Sequence, residues 1–306
     1  MPGNVVRFIA GSALVLTAAC GGSTAAETGK PVVDAAFFPL QWLAEKVGGP
    51  DVTVEGLTKP GVEPHDLELT PQQVAGVAEA SLVVYVKGVQ PAVDEAVAQH
   101  AADRGFDAAS AVPTLAAVHD EHAEEEEEHG HEEEELAYDP HLWLDPSRMA
   151  TLATALGGRL AEADPAHGAA YKERAKQTAA ALTTLDAEFA KGLETCANRT
   201  IVTAHTAFGY LANRYKLEQV GIGGIDPDAE PSPARLAEAA RIAKEKKVTT
   251  IFTEELVSPK VAEVLASEVG AKTAVLNPLE SPPQGGDYVS GMTANLTALR
   301  TALGCQ

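Results

Sequence analysis

Tyr171, Ala175, Thr178, Leu182, Leu185, Phe189 and Leu193 recur at steps of four, three, four, three, four and four. That spacing marks one face of a single α-helix. It predicts about 28 helical residues, roughly 42 Å long. On both sides of it, strand-like and helix-like segments alternate, as they do in βαβ units with mainly parallel sheets. So long a helix between two such regions constrains the chain to one architecture: two α/β lobes, each a mainly parallel sheet flanked by helices, joined by a rigid spine.

The N-terminal lobe is expected over 31–146, the linking helices over 147–194 and the C-terminal lobe over 195–306. Pro31 to Phe38 reads as a strand stopped by Pro39, and Leu40 to Val47 as a short helix. Asp51 to Leu57 alternates as a strand should. Thr70-Pro71-Gln72-Gln73 has Thr at the N-cap, Pro at the first helical position and Gln at the third, which opens a helix to about Ala80. Ser81 to Val86 is a continuous apolar run, the mark of a strand buried on both faces. Beyond the spine, strands are expected at Thr200 to Ala204, Glu218 to Ile225, Val248 to Thr253 and Lys272 to Leu276. Asp287 to Leu303 closes the chain as an amphipathic helix.

One stretch breaks the alternation. Residues 119–135 carry 11 acidic side chains together with His119, His122, His129 and His131. Such mutual repulsion predicts a disordered loop. Removing those 11 charges from the net −21 leaves −10, an ordinary acidic globular protein. A surface this acidic repels nucleic-acid phosphates and attracts cations. The loop histidines and glutamates are expected to bind further metal ions weakly; a solvated loop without function is the alternative.

The N-terminus has the form of a targeting segment. Arg7 precedes the apolar run Phe8 to Ala19, which falls short of the ~20 apolar residues a membrane span needs. The run ends Leu16-Thr17-Ala18-Ala19-Cys20, which resembles a bacterial lipobox. That resemblance implies a signal peptide over 1–19, a lipid anchor on Cys20, a flexible tether over 20–30 and an extracytoplasmic, membrane-tethered protein. An ordinary secretory signal is the alternative. Two cysteines then remain, Cys196 and Cys305. In an exported chain an even pair favours a disulfide over two free thiols.

Ligands of open α/β sheets sit beyond the carboxyl ends of the strands. His65, His205, Glu254, Glu255 and Asn277 fall at or just after predicted strand ends. His141 lies between two Asp-Pro turns at the junction of the first lobe and the spine. Three imidazoles suit a borderline ion such as zinc. Any one of these histidines alone reads more readily as an ordinary hydrogen-bonded residue; together, at equivalent places in the topology, they weigh more.

Three segments carry a more specific resemblance. Gly61-Val62-Glu63-Pro64-His65-Asp66-Leu67, Asp139-Pro140-His141-Leu142-Trp143-Leu144-Asp145-Pro146 and Thr203-Ala204-His205-Thr206-Ala207-Phe208-Gly209 resemble the three histidine motifs of the metal-binding lipoproteins of ABC importers. The chain is most similar to the zinc-uptake type. The resemblance implies one Zn2+ per chain held between the lobes by His65, His141 and His205, delivery to a membrane ABC permease, and no catalysis. A monomer is expected. Manganese-binding relatives tend to carry a carboxylate at the third position, where this chain has His205. The family often has Asp in a Leu-Asp-Pro-Leu segment, where this chain reads Leu276-Asn277-Pro278-Leu279. The fourth ligand is therefore open among Asn277, Glu280, Glu255 and water. Other readings are a manganese or iron carrier of the same importer family, a passive zinc buffer and an extracytoplasmic zinc hydrolase. Against the last, the chain has no HExxH motif and no G-x-S-x-G elbow.

Overall fold

The computed structural model describes residues 29–117 and 137–306, with residues 1 and 3. Cys20 and the loop histidines His119, His122, His129 and His131 lie outside the described residues.

Each lobe is a four-stranded parallel sheet. The first contains β1 (Val32–Ala35), β2 (Thr53–Gly56), β3 (Leu82–Tyr85) and β4 (Gly105–Asp107) in the order β2-β1-β3-β4. Ala35 at the end of β1 pairs with Gly56 on one side and Val84 on the other, so the carboxyl ends lie level. Helices α1 (Phe38–Gly48), α2 (Pro71–Glu79) and α3 (Pro91–His100) make the crossovers. The expected strand ends earlier than Phe38, at Ala35, and Phe38 opens a helix with Pro39 near its start. Pro there begins an element instead of stopping one, because the missing N–H is unpaired in a first turn anyway. The strand at Gly105–Asp107 has no apolar alternation to announce it; pairing along β3 creates it.

Helices α4 (Pro146–Ala163) and α5 (Gly168–Gly192) form the spine. Asp145 caps α4 by accepting hydrogen bonds from the Ser147 and Arg148 amides. The face of α5 from Tyr171 to Phe189 is buried, and Leu193 is buried as its C-cap. A Cβ at Gly157 would overlap the Ala175 methyl, so glycine is what lets α4 and α5 approach.

The second sheet contains β5 (Thr200–Thr203), β6 (Glu218–Gly221), β7 (Thr250–Thr253) and β8 (Lys272–Val275) in the order β6-β5-β7-β8, the same arrangement as the first. Its helices are α6 (Gly209–Tyr215), α7 (Pro233–Glu245), α8 (Lys260–Val269) and α9 (Tyr288–Leu303). One apolar core runs from Val33 and Leu43 of the first lobe, through Leu156, Leu182 and Phe189 of the spine, to Phe252, Leu276 and Met292 of the second. A smaller core around Val202, Ile251 and Leu265 supports α7 and α8. The shared core makes the spine part of both lobes. A disulfide joins Cys196 and Cys305, the two ends of the second lobe. Among the described residues no helix is long and apolar enough to cross a membrane.

Candidate metal centre

His65, His141, His205 and Glu280 converge where the carboxyl ends of the two sheets face each other. One ligand atom from each lies within 4.8 Å of all the others. His205 stands two residues beyond β5, on a backbone held by the Thr203 hydroxyl, which donates to the His205 carbonyl at 2.7 Å. Its Nδ1 meets Glu254 Oε2 at 2.7 Å, and its amide donates to Glu254 Oε1 at 3.1 Å. Glu254 itself follows β7 directly.

His141 is held in the same way. Its ring Nδ1 lies 2.8 Å from Asp139 Oδ1, and its amide donates to that same oxygen at 3.0 Å. Tyr210 in α6 donates from its hydroxyl to the Asp139 carbonyl at 2.6 Å. A Cβ at Gly209 would sit on Asp139 Oδ2, so α6 can press against this segment only with glycine there.

His65 rides on the loop between β2 and α2. The capping box that Thr70 and Gln73 form fixes one end of that loop, and Gln73 Nε2 donates to the Leu57 carbonyl at 2.7 Å to fix the other. Gly61 donates across to Ser281 Oγ at 2.8 Å. Among the described residues no carboxylate bonds the Nδ1 of His65; its amide donates to Glu63 Oε1 at 3.2 Å.

Glu280 supplies the fourth corner. A single oxygen, Oε1, lies 3.7 Å from His65 Nε2 and 3.9 Å from the Nε2 of both His141 and His205. A tetrahedral zinc with bonds of 2.0–2.1 Å separates its ligands by about 3.3 Å. Glu280 therefore stands about half an ångström beyond that spacing from each imidazole, and the four ligand atoms, all within 4.8 Å of one another, would draw together to close the shell. Among the described residues, all three Nε2 atoms and both Glu280 oxygens are buried without a hydrogen-bond partner. So many unpaired buried polar atoms around one point suit a cation, since each otherwise bears its full desolvation cost.

The electrostatics fit a site that exchanges protons for metal. Burial opposes a proton on His205, but Glu254, with Glu280 and Glu63 behind it, lifts its pKa from 6.5 to about 9. Burial lowers the pKa of His141, with Asp139 opposing. Burial also disfavours the Glu280 carboxylate, yet the three histidines hold its pKa below the usual carboxylate value. Burial, and then Glu280, pushes Glu63 up to about 7.

Of the fourth-ligand candidates, Glu280 joins the histidine cluster, and Asn277 and Glu255 lie outside it. Asn277 turns away: its Oδ1 accepts from the Leu279 amide at 2.7 Å and its Nδ2 donates to Glu255 Oε2 at 2.9 Å. Glu255 is exposed on the far side of that contact. An Asn serves at 277 because the turn asks only for a side-chain oxygen, which Asp supplies equally well. The partner role of Glu254, and the whole role of Asp139, went unread in the sequence. The signal for them was the general need of a metal-binding histidine for a carboxylate at its other nitrogen.

The sequence profile of the zinc-uptake complex component A family (ZnuA), described as periplasmic, matches residues 33–302. The chain belongs to this family. It is 36% identical to the high-affinity zinc uptake system protein ZnuA of Bacillus subtilis over 97% of this chain and 96% of that one. It is 33% identical to the zinc-binding lipoprotein AdcA of Streptococcus pneumoniae over 97% of its own length, and spans 60% of that relative. A Zn(II)-bound mutant variant of AdcAII from Streptococcus pneumoniae superposes with a TM-score of 0.77 at 30% identity, covering 90% of this chain and 98% of that one. ZnuA membership accounts for the two lobes and the spine. The orphaned buried nitrogens show independently where an ion fits.

Proposed function

We propose that the chain captures one zinc ion outside the cytoplasm, between its lobes, and delivers it to an ABC permease. The observation that carries this reading is the set of three unpaired Nε2 atoms and one carboxylate oxygen around a single point. Asp139 and Glu254 accept from Nδ1 and thereby turn the Nε2 lone pairs of His141 and His205 toward the ion. Three neutral imidazoles and one carboxylate leave bound zinc with a single positive charge, and the two partner carboxylates lie close by. Nitrogen-rich, four-coordinate surroundings favour zinc over manganese, which prefers more oxygen ligands and six-coordination. A catalytic zinc keeps one position open for water; here Glu280 fills it, which favours carriage over hydrolysis.

One chain supplies all four ligands, which supports action as a monomer. We further read residues 1–19 as a signal peptide and Cys20 as the lipid anchor, in line with a relative named a lipoprotein. The lobes are taken as 31–146 and 195–306 with linking helices over 147–194, and the acidic histidine tract 119–135 as an accessory zinc collector. Calorimetry with zinc and then manganese tests the reading. One tight zinc site should survive deletion of 119–135, collapse in His205→Ala and exclude manganese. Loss of tight binding with the tract, or equal affinity for manganese, would overturn it.

A further inference from the structure

Glu280 reaches the histidine cluster with no hydrogen bond to either of its oxygens among the described residues. Its aim must therefore come from the backbone behind it. That backbone is held at every step. The Asn277 amide donates to Asn295 Oδ1 at 2.9 Å, and Asn295 Nδ2 returns a bond to the Asn277 carbonyl at 2.6 Å. Trp143 Nε1 donates to the Pro278 carbonyl at 2.7 Å. The Asn277 side chain then closes the turn on itself by accepting from the Leu279 amide. Leu279 has φ of 60° and is fully buried. A leucine holds the left-handed region only where its surroundings impose it. Residue 280 follows immediately, so the turn sets the direction in which its side chain departs.

We propose that Asn277 is a positioning residue that aims Glu280 and limits it to one oxygen at the ion, thereby tuning the site toward four-coordinate zinc. The same oxygen, Oε1, is the one nearest all three imidazoles. A carboxylate free to rotate would offer both oxygens and suit a larger, six-coordinate cation. This inference rests on the zinc reading above.

The test is competition titration of the purified protein with zinc and with manganese, and the absorption spectrum of cobalt(II) in the site. Asn277→Ala should weaken zinc by about tenfold or more, the equivalent of one ordinary hydrogen bond. It should weaken manganese less, and shift cobalt(II) from intense tetrahedral bands to weaker ones. Asn277→Asp keeps an oxygen for the Leu279 amide and should stay within about threefold of the native protein. Asn277→Gln moves the oxygen one carbon too far and should behave as Ala does; it carries the test if the Ala variant fails to fold. In a Glu280→Ala background the Asn277→Ala effect should vanish, since it acts through the carboxylate. An Asn277→Ala protein that binds zinc like the native one, or that loses the same factor with and without Glu280, overturns the inference and leaves the zinc reading standing. Unchanged zinc affinity in Glu280→Ala alone would also overturn the inference, since Asn277 would then have no ligand to aim, and would leave zinc capture by the histidines standing.

Discussion

His205 and His65 approach the same point from opposite lobes, and they are built differently. His205 is 1% exposed and bonded to Glu254 through both its ring and its amide. It follows a strand whose residues are all buried. His65 is 10% exposed and sits mid-loop, with no carboxylate on its Nδ1 among the described residues. His141 belongs with His205: it is fully buried and braced by Asp139. The two braced histidines form a rigid half of the cluster, and His65 is the histidine that the fold restrains least. The spine shares one core with both lobes, so movement of the His65 loop needs less rearrangement than rotation of a lobe.

The largest expected effect comes from breaking the rigid half. His205→Ala and His141→Ala should abolish tight zinc binding, a loss of about a thousandfold or more, as one of only four bonds disappears. His205→Ala should also lower metal-free stability by about 3 kcal/mol, because Glu254 is left buried without its ring partner. His65→Ala should weaken zinc yet lower metal-free stability less than His205→Ala does, since no carboxylate bonds its Nδ1 among the described residues. Calorimetry and denaturant unfolding of the three variants decide it; equal destabilisation by all three would erase the distinction.

Next come the braces. Asp139→Asn and Glu254→Gln should each cost about 10- to 100-fold in zinc affinity, since the ring loses its orientation and basicity. Dissociation rates of the zinc-loaded variants measure this.

pH separates the two braced rings. The folded pKa of His205 is raised from 6.5 to about 9. Stability from its ion pairing is therefore complete below pH 6.5 and lost as pH rises through about 9. Between those values zinc must displace the His205 proton, so affinity should rise with pH by up to about tenfold per unit. His141, whose pKa is lowered, should release none. Calorimetry in buffers of different ionisation enthalpy counts the protons, and Glu254→Gln should reduce the count.

The smallest effect on zinc belongs to the disulfide. It closes a loop spanning 109 residues, worth at most about 4–5 kcal/mol in chain entropy. Reduction should lower the melting temperature of the second lobe and leave zinc affinity unchanged, because Cys196 and Cys305 lie at the lobe's outer end.

Much of this was legible in the residues. The α5 face from Tyr171 to Phe189 was read position by position, because a buried helix stripe leaves a periodic trace. The Thr70 capping box was equally plain. The three histidines that converge stand out in the sequence because they follow strands or lie between turn signals. The start of α1 was misplaced, since Pro39 signals an end and a beginning alike. The strand at Gly105–Asp107 was missed because three residues carry no pattern. Glu280 was named only among alternatives: its place depends on the Asn277 turn and on a left-handed Leu279, which no local preference announces. The braces Asp139 and Glu254 are contacts made by the fold, one of them across 49 residues of chain.

The central claim is that one ion binds His65, His141, His205 and Glu280 together. Anomalous diffraction at the zinc edge from crystals of the zinc-loaded protein tests it directly. One strong peak is expected, about 2.0–2.2 Å from the Nε2 atoms of the three histidines and from one oxygen of Glu280. A peak elsewhere, or one at the histidines with water in place of Glu280, would contradict it.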